Sequence, residues 1–223
     1  ETATGFCRMQ YTAAQSQSVA IIGASGYVGV ELTRLVQQHP ALSLLGCYVS
    51  EHSSDAGSLL SDLHPQYAHL VNLSLQGLSS QKKELIKSSA DTVFLCTDHG
   101  VSVELAPEFL AAGLKVIDLS GGFRLNATED YPSFYGFEHQ QDSWLQQAVY
   151  GLAEWYPQEI AAAQLVAVPG CYPTAALMAL LPVKQAGLLS CNKIIINAVS
   201  GVTGAGRKAA LTSHGAELSL QAY

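Results

Sequence analysis

From Ser18 onward, apolar positions fall into two alternating patterns: short unbroken runs rich in β-branched residues, and longer stretches with helical spacing. Ser18-Val-Ala-Ile-Ile22 is the first run. With no polar face, such a run predicts a strand buried on both sides. The glycine-rich segment Gly23 to Gly29 follows without a gap and leads into the amphipathic stretch Val30 to Gln38, a predicted helix. Further strands are predicted over 41–49, 92–97 and 114–119, and helices over 80–88 and 101–112. This alternation defines a doubly wound α/β fold with a parallel sheet.

From Gly121 to Pro157 the alternation gives way to Tyr, Phe, Gln and Gly, which we read as the crossing into a second unit. That unit begins with a strand over 164–168 and a helical stretch from Ala175 to Gln185 broken at Pro182. It continues with a strand from Asn192 to Val199. The expected organisation is an N-terminal arm over 1–17, a dinucleotide-binding domain over 18–150 and the start of a catalytic domain over 151–223. The arm has no apolar core of a secretory signal; a disordered arm, a processing remnant and an expression artefact all fit it.

The segment Gly23-Ala-Ser-Gly-Tyr-Val-Gly29 carries the first candidate chemistry. Between a strand and a helix, the first glycine permits a tight turn, the second lets backbone approach a pyrophosphate, and the third lets helix pack on strand. The spacing G-x-x-G-x-x-G departs from the commoner G-x-G-x-x-G, and a turn without a ligand is the bland alternative. The flanking strand and helix favour nucleotide binding by Gly23, Ala24, Ser25, Gly26, Tyr27, Val28 and Gly29. In a parallel sheet ligands collect beyond the carboxyl ends of strands, which places Ser50, Thr97, Asp98, His99 and Ser120 near such a ligand.

The second candidate is Cys171, in Val168-Pro-Gly-Cys-Tyr-Pro-Thr174, between a strand-like and a helix-like segment. At a helix start, unpaired N–H groups and the helix dipole favour thiolate over thiol. A buried cysteine acting as a small hydrophobe is the equal alternative at this point. The glycine-rich Ser200-Gly-Val-Thr-Gly-Ala-Gly-Arg207 is either an anion-binding nest with Arg207 beside it or a linker loop.

Composition narrows the function classes. With 48% hydrophobic and 13% charged residues over 223 positions, the chain can bury a substantial core. A net charge of -7 without a basic cluster argues against nucleic acid, and no apolar run is long enough for a membrane helix. Five cysteines without C-x-x-C spacing suit a reducing compartment, so a cytoplasmic location is expected. The seven histidines are scattered, and no metal site is expected.

Five ordered blocks now carry a resemblance: Gly23-Ala-Ser-Gly-Tyr-Val-Gly-Val-Glu-Leu32, Asp118-Leu-Ser-Gly-Gly-Phe-Arg124, Tyr150-Gly-Leu-Ala-Glu154, Val168-Pro-Gly-Cys-Tyr-Pro-Thr174 and Ser200-Gly-Val-Thr-Gly-Ala-Gly-Arg207. Together they resemble the N-acetyl-gamma-glutamyl-phosphate reductases of arginine biosynthesis, within the aspartate-semialdehyde dehydrogenase-like superfamily. The resemblance implies a Rossmann-type domain followed by part of an α+β catalytic domain. It also implies reduction of N-acetylglutamyl 5-phosphate to the semialdehyde by NADPH, with Cys171 forming a thioester after phosphate leaves. Arg124, Glu154 and Arg207 are the implied substrate contacts. Ser200, Gly201 and Gly204 join Gly23 to Gly29, Ser50 and Thr97 on the cofactor. The expected partner is a small acyl phosphate, and a homo-oligomer is expected.

Two departures qualify the resemblance. Family members place a His-Arg-His-x-Pro-Glu segment soon after a tyrosine matching Tyr223, and its first histidine is the implied acid–base partner of the cysteine. No histidine of this chain stands in such a context, so the expectation is the N-terminal two-thirds of an enzyme, inactive alone. The second departure concerns the cofactor. Ser50, Ser53 and Ser54 suit the 2′-phosphate of NADP, whereas Glu51 turned inward suits NAD; NADP is the expected cofactor. An aspartyl or aminoadipyl phosphate reductase, or a non-catalytic nucleotide-binding fragment, are the alternative functions.

Overall fold

A computed structural model describes residues 16–190 and 193–207. Among the described residues there are seven strands: β1 Gln17–Ile22, β2 Leu42–Ser50, β3 Leu75–Leu78, β4 Thr92–Leu95, β5 Lys115–Asp118, β6 Val149–Tyr150 and β7 Leu165–Ala167. They form one sheet, β3-β2-β1-β4-β5-β7-β6, in which every ladder between these strands is parallel. The order reverses between β1 and β4, the switch point at which such sheets open a crevice. The helices are α1 Tyr27–Gln38, α2 Leu60–Leu63, α3 Ser80–Ser89, α4 His99–Ala111, α5 Tyr131–Tyr135, α6 Asp142–Leu145, α7 Pro157–Ala162 and α8 Cys171–Gln185.

The unbroken apolar runs have the burial they imply. Val19, Ala20, Ile21 and Ile22 are each no more than 2% exposed. Val19 and Ile21 enter the core that holds Val30 and Val36 of α1, while Ala20 and Ile22 enter the core that holds Phe109 of α4. Side chains alternate across a strand, so a run with both faces covered must be apolar throughout. Burying each isoleucine contributes about 1.5–3 kcal/mol.

The strands predicted over 41–49, 92–97 and 114–119 are β2, β4 and β5, and the helices predicted over 80–88 and 101–112 are α3 and α4. Helix α1 starts at Tyr27, directly after its extended N-cap Gly26, rather than at Val30. Helix α8 continues through Pro182 to Gln185. Gln17, grouped with the expected arm, is the first residue of β1.

Strand β3 was absent from the sequence reading; Leu75-Gln-Gly-Leu78 is short and contains glycine, and only its ladder with β2 makes it a strand. The strand expected to open the second unit is β7, which pairs with β5 and extends the first sheet beyond residue 150. Phe123, Tyr131 and Leu145, in the stretch read as a crossing, lie in the same core as Ala20 and Leu95.

The strand expected up to Val199 is also not formed over 193–199, where Ile195 is 81% and Val199 78% exposed. β-branched composition favours a strand only where a ladder partner exists, and this segment pairs with none of the seven strands. Residues 1–15 of the expected arm lie outside the described residues, as do Cys191, Asn192 and 208–223.

Candidate functional site

Because the sheet is parallel, the loops after β1, β2, β4, β5 and β7 all leave from one edge. That edge carries the glycine turn, Ser50, Thr97, Ser120 and Cys171. Residues far apart in the chain are thus brought to one rim.

At the glycine turn, the N–H groups of Gly23 and Ala24 donate to the Tyr48 carbonyl at 2.8 and 3.1 Å. Gly23 has φ +84°, and a Cβ there would lie 2.3 Å from the Cys96 carbonyl oxygen. A Cβ on Gly29 would lie 2.5 Å from the Gly23 oxygen, so this glycine is required for helix α1 to sit on β1. Gly26 is different: its nearest contact would be 3.7 Å away, and it lines open space. Two glycines therefore serve the fold, and the third leaves room for a ligand at the start of α1. His64, 1% exposed, supports the turn from below, its Nε2–H donating to the Ser25 carbonyl at 2.9 Å.

A cleft of about 760 Å³ opens over this turn, walled by Ser25, Gly26, Ser50, Thr97 and residues 203–207. Tyr27, Val28 and Gly29 also line it, whereas Ala24 is fully buried in the core and does not. Of the second glycine-rich segment, Gly204 and Arg207 reach the cleft; Ser200 and Gly201 are exposed and do not line it. Arg207 forms an ion pair with Asp55 of the loop after β2. The cleft fits a dinucleotide in its glycine cradle, the helix start beneath it and its apolar wall of Leu78, Val101 and Leu105.

Beneath the rim lies a polar network. The buried Asp118 carboxylate accepts from the Ser120 N–H at 3.0 Å and the Ser120 hydroxyl at 2.8 Å. Burial raises its pKa, against these bonds and one from the Ser102 hydroxyl, which pull it down. Ser102 in turn lies 2.8 Å from the Thr97 hydroxyl, which ties Thr97 to the base of the cleft.

Cys171 is the first residue of α8, follows the extended N-cap Gly170, and is exposed. Cys47 and Cys96 are screened from solvent by comparison. Burial pushes the Cys47 thiol up, and pushes the Cys96 thiol up to about 12, with Asp118 adding to the latter shift. Among the described cysteines Cys171 is exposed, Cys96 is half-buried and Cys47 is buried.

Arg124 fixes the loop that carries Cys171. Its Nε donates to the Val168 carbonyl at 2.7 Å and its Nη2 to the Leu119 carbonyl at 2.8 Å, joining the ends of β5 and β7. The planar guanidinium spans two carbonyls that a lysine could not. Arg124 also lines a smaller cavity of about 370 Å³ together with Tyr150, Tyr156 and Leu177 of α8. Glu154 lies exposed in the turn after β6 and lines neither cavity.

Two histidines shape the loop after β5. His99 Nδ1 accepts from the Gly121 N–H at 2.8 Å. His139 is 6% exposed; its Nε2–H donates to the Gly122 carbonyl at 2.8 Å and its Nδ1 accepts from the Gln141 N–H at 3.2 Å. Only the neutral ring makes both bonds. Burial holds its pKa below 6.5, against the Gly122 bond and the charge of Asp142. Between 6.5 and that lower folded value the unfolded chain binds more protons, so stability is retained above 6.5 and lost as pH falls. We expect the urea midpoint to fall between pH 7 and pH 5, and His139→Gln, which keeps a donor and an acceptor without titrating, to flatten that slope.

Sequence reasoning missed His64 beneath the turn and Lys83 on the cleft wall. Neither has a motif: His64 ends α2, which the sequence pattern does not predict, and Lys83 lies on the predicted helix α3, whose neighbour β3 is the unpredicted element.

The sheet order, the glycine turn at the switch point and the cleft above it define a dinucleotide-binding α/β protein. The chain belongs to the semialdehyde dehydrogenase family: residues 18–163 match the model "Semialdehyde dehydrogenase, NAD binding domain" and residues 171–223 the model "Semialdehyde dehydrogenase, dimerisation domain". It is 55% identical over 207 residues to the N-acetyl-gamma-glutamyl-phosphate reductase of Aeromonas salmonicida, covering 92% of this chain and 62% of that protein. It is 52% identical over 204 residues to the enzyme of that name from Yersinia pestis, covering 91% and 60%. The chain thus spans less than two-thirds of the length of these curated relatives.

Solved structures share the fold. The aspartate semialdehyde dehydrogenase II of Vibrio cholerae complexed with ASA aligns with TM-score 0.55 at 23% identity, over 78% of this chain and 44% of that one. The aspartate semialdehyde dehydrogenase of Candida albicans with NADP aligns with TM-score 0.51 at 17% identity, over 78% and 48%. Among the described residues, no helix is long and apolar enough to cross a membrane.

Proposed function

We propose that this chain supplies the dinucleotide-binding unit and the nucleophile of an NADPH-dependent reductase that converts N-acetyl-L-glutamyl 5-phosphate to N-acetyl-L-glutamate 5-semialdehyde and inorganic phosphate. The observation that carries this reading is the exposed Cys171 at a helix start, on the same sheet edge as the glycine turn. The turn follows β1 and the cysteine follows β7, three strands away, or about 14 Å at ordinary strand spacing. A dinucleotide laid along the rim from β2 across β1 and β4 therefore points toward the thiol. The names of the relatives supply the substrate.

In this reading the Cys171 sulfur attacks the acyl carbon, the carbon–oxygen bond to phosphate breaks, and phosphate leaves with the electron pair. The nicotinamide, when bound, supplies the hydride that reduces the thioester, and collapse of the adduct returns the thiolate and releases the aldehyde. Two easier steps replace one difficult displacement. Arg124 holds the Cys171 loop through Val168 and Leu119. Gly23, Ser25, Gly26, Ser50, Thr97 and Gly204, which line the cleft, would hold the cofactor. Arg207, which lines the same cleft, belongs to the cofactor side rather than to the substrate. Glu154 remains a substrate contact only by resemblance.

The second unit starts near Cys171, in line with the boundary between the matched family models. A homo-oligomer formed through that unit is supported by the name of its model and by the exposed Ile194, Ile195 and Ile196. The cysteines described without disulfides suit the cytoplasm.

The test is phosphate-dependent reduction of NADP with N-acetylglutamate semialdehyde, aspartate semialdehyde or aminoadipate semialdehyde. It is run on this chain and on a version extended to the length of its relatives. We expect both to bind NADPH and the longer one to oxidise the N-acetylglutamate compound at least tenfold faster than the others, on the order of a single lost polar contact. Preference for another semialdehyde would replace the substrate, and absence of thioester chemistry in both versions would refute the reading.

A further inference from the structure

The cleft wall beyond the glycine turn is built by β2 and β3, whose ends lie side by side with Ser50 opposite Leu78. Helix α3 begins two residues after Leu78, behind the Ser79 cap, whose hydroxyl accepts from the Lys82 N–H at 3.3 Å. Its second turn brings Lys83 to the cleft, on a wall with Ser50, Glu51, Ser53 and Leu78; Glu51, weighed above as favouring NAD if turned inward, does line the cleft, so a cation beside it is what a 2′-phosphate needs. In a Rossmann-type sheet the strand next to β1 ends at the adenosine ribose, so this wall faces the 2′ position of a bound dinucleotide. The other cation on the cleft wall, Arg207, is paired with Asp55.

Lys83 is held in a way that lets it be released. Its Nζ donates to Glu108 Oε2 of α4 at 2.9 Å, while Lys87 Nζ lies 2.9 Å from the other oxygen, Oε1. If Lys83 turns toward a ligand, Glu108 keeps one cation and is not left uncompensated. Both partners are partly exposed, 28% and 33%, so the bond to Glu108 is screened and weak enough to be exchanged. A phosphomonoester carries about 1.5–2 negative charges at neutral pH and competes well for an ammonium. Ser50 and Ser53 add hydroxyl donors on the same wall.

We propose that Lys83 is the residue that selects the 2′-phosphate of NADPH, exchanging Glu108 for the phosphate while Lys87 retains Glu108. The inference rests on the dinucleotide reading above and adds to it the residue that discriminates NADPH from NADH.

The test compares 2′,5′-ADP with 5′-AMP, and NADPH with NADH, by titration calorimetry on the full chain. Lys83→Met should weaken 2′,5′-ADP and NADPH by about 10- to 100-fold, the range of a hydrogen bond to a charged group, while 5′-AMP and NADH change by less than about twofold. Lys83→Arg should retain most of the preference. Glu108→Gln, which releases Lys83 without removing it, should strengthen 2′,5′-ADP and leave 5′-AMP unchanged; circular dichroism verifies the fold of each variant. An unchanged ratio of affinities in Lys83→Met, or an equal loss for both ligands of a pair, would overturn the assignment. Failure of the parent chain to bind any of the four ligands would instead refute the dinucleotide reading on which it rests.

Discussion

Replacing Cys171 with serine should abolish thioester formation, and loss of any other described cysteine should not. In the chain extended to the length of its relatives, Cys171→Ser should lower phosphate-dependent oxidation of the semialdehyde by about 10⁴-fold or more, the scale of losing a covalent nucleophile. Cys47→Ala and Cys96→Ala should change activity only through stability. The basis is exposure: Cys171 opens α8 at the rim, whereas the Cys96 thiol is held up to about 12 by burial and then by Asp118, and the Cys47 thiol is raised by burial. A second measurement needs no turnover. Alkylation followed by peptide mass mapping of the native 223-residue chain should modify Cys171 at least tenfold faster than Cys47 or Cys96, because a thiol must be reached and ionised to react. Comparable activity in Cys171→Ser and the parent would remove Cys171 from the chemistry.

Gly26→Val should weaken NADPH binding by about 100-fold while leaving the melting temperature within a few degrees of the parent. The expectation follows from an asymmetry within the glycine turn. A Cβ at Gly23 or Gly29 meets backbone at 2.3 or 2.5 Å, and at Gly23 it is also opposed by φ +84°, so substitution there strains the fold. At Gly26 the nearest atom is 3.7 Å away, φ is -78°, and the space belongs to the cleft. A branched side chain there occupies the approach to the α1 N-terminus, where an anion would be bound by backbone N–H groups. Fluorescence titration with NADPH beside a thermal melt separates the two effects. Unchanged affinity would mean the turn is structural only, and a large drop in melting temperature would mean Gly26 serves packing as its two neighbours do.

Legibility in the sequence followed the range of the interaction involved. The glycine turn was legible because its logic is local: strand, three glycines and helix within seventeen residues, Ser18 to Arg34, with the roles of Gly23 and Gly29 realised as contacts to Cys96 and to Gly23 itself. Strand β1 was legible because burial on both faces leaves an unbroken apolar run, and β2, β4 and β5 because short apolar or β-branched segments alternate with helical ones. Strand β3 was not legible, since Leu75-Gln-Gly-Leu78 gains its conformation from the β2 ladder. Lys83 was lost with it, because a lysine in a polar helix carries no signal until the neighbouring strand fixes which way the helix faces. The run up to Val199 failed in the opposite sense: Ile194-Ile195-Ile196 has strand composition and, over the described residues, no strand to pair with.

The sequence by itself determined the alternation of elements, the turn built for a close backbone approach, and the cysteine placed between a strand and a helix; each depends on residues within a few positions of one another. Only the tertiary structure decided that β7 joins the first sheet beside β5 and so carries Cys171 to the edge shared with the glycine turn. It also decided that Arg124 braces the cysteine loop through Val168 and Leu119, and that Arg207 faces the cleft and pairs with Asp55. Strand order and lateral pairing join residues separated by tens to more than a hundred positions, and propensity or periodicity along the chain carries no record of which distant edge a strand will meet.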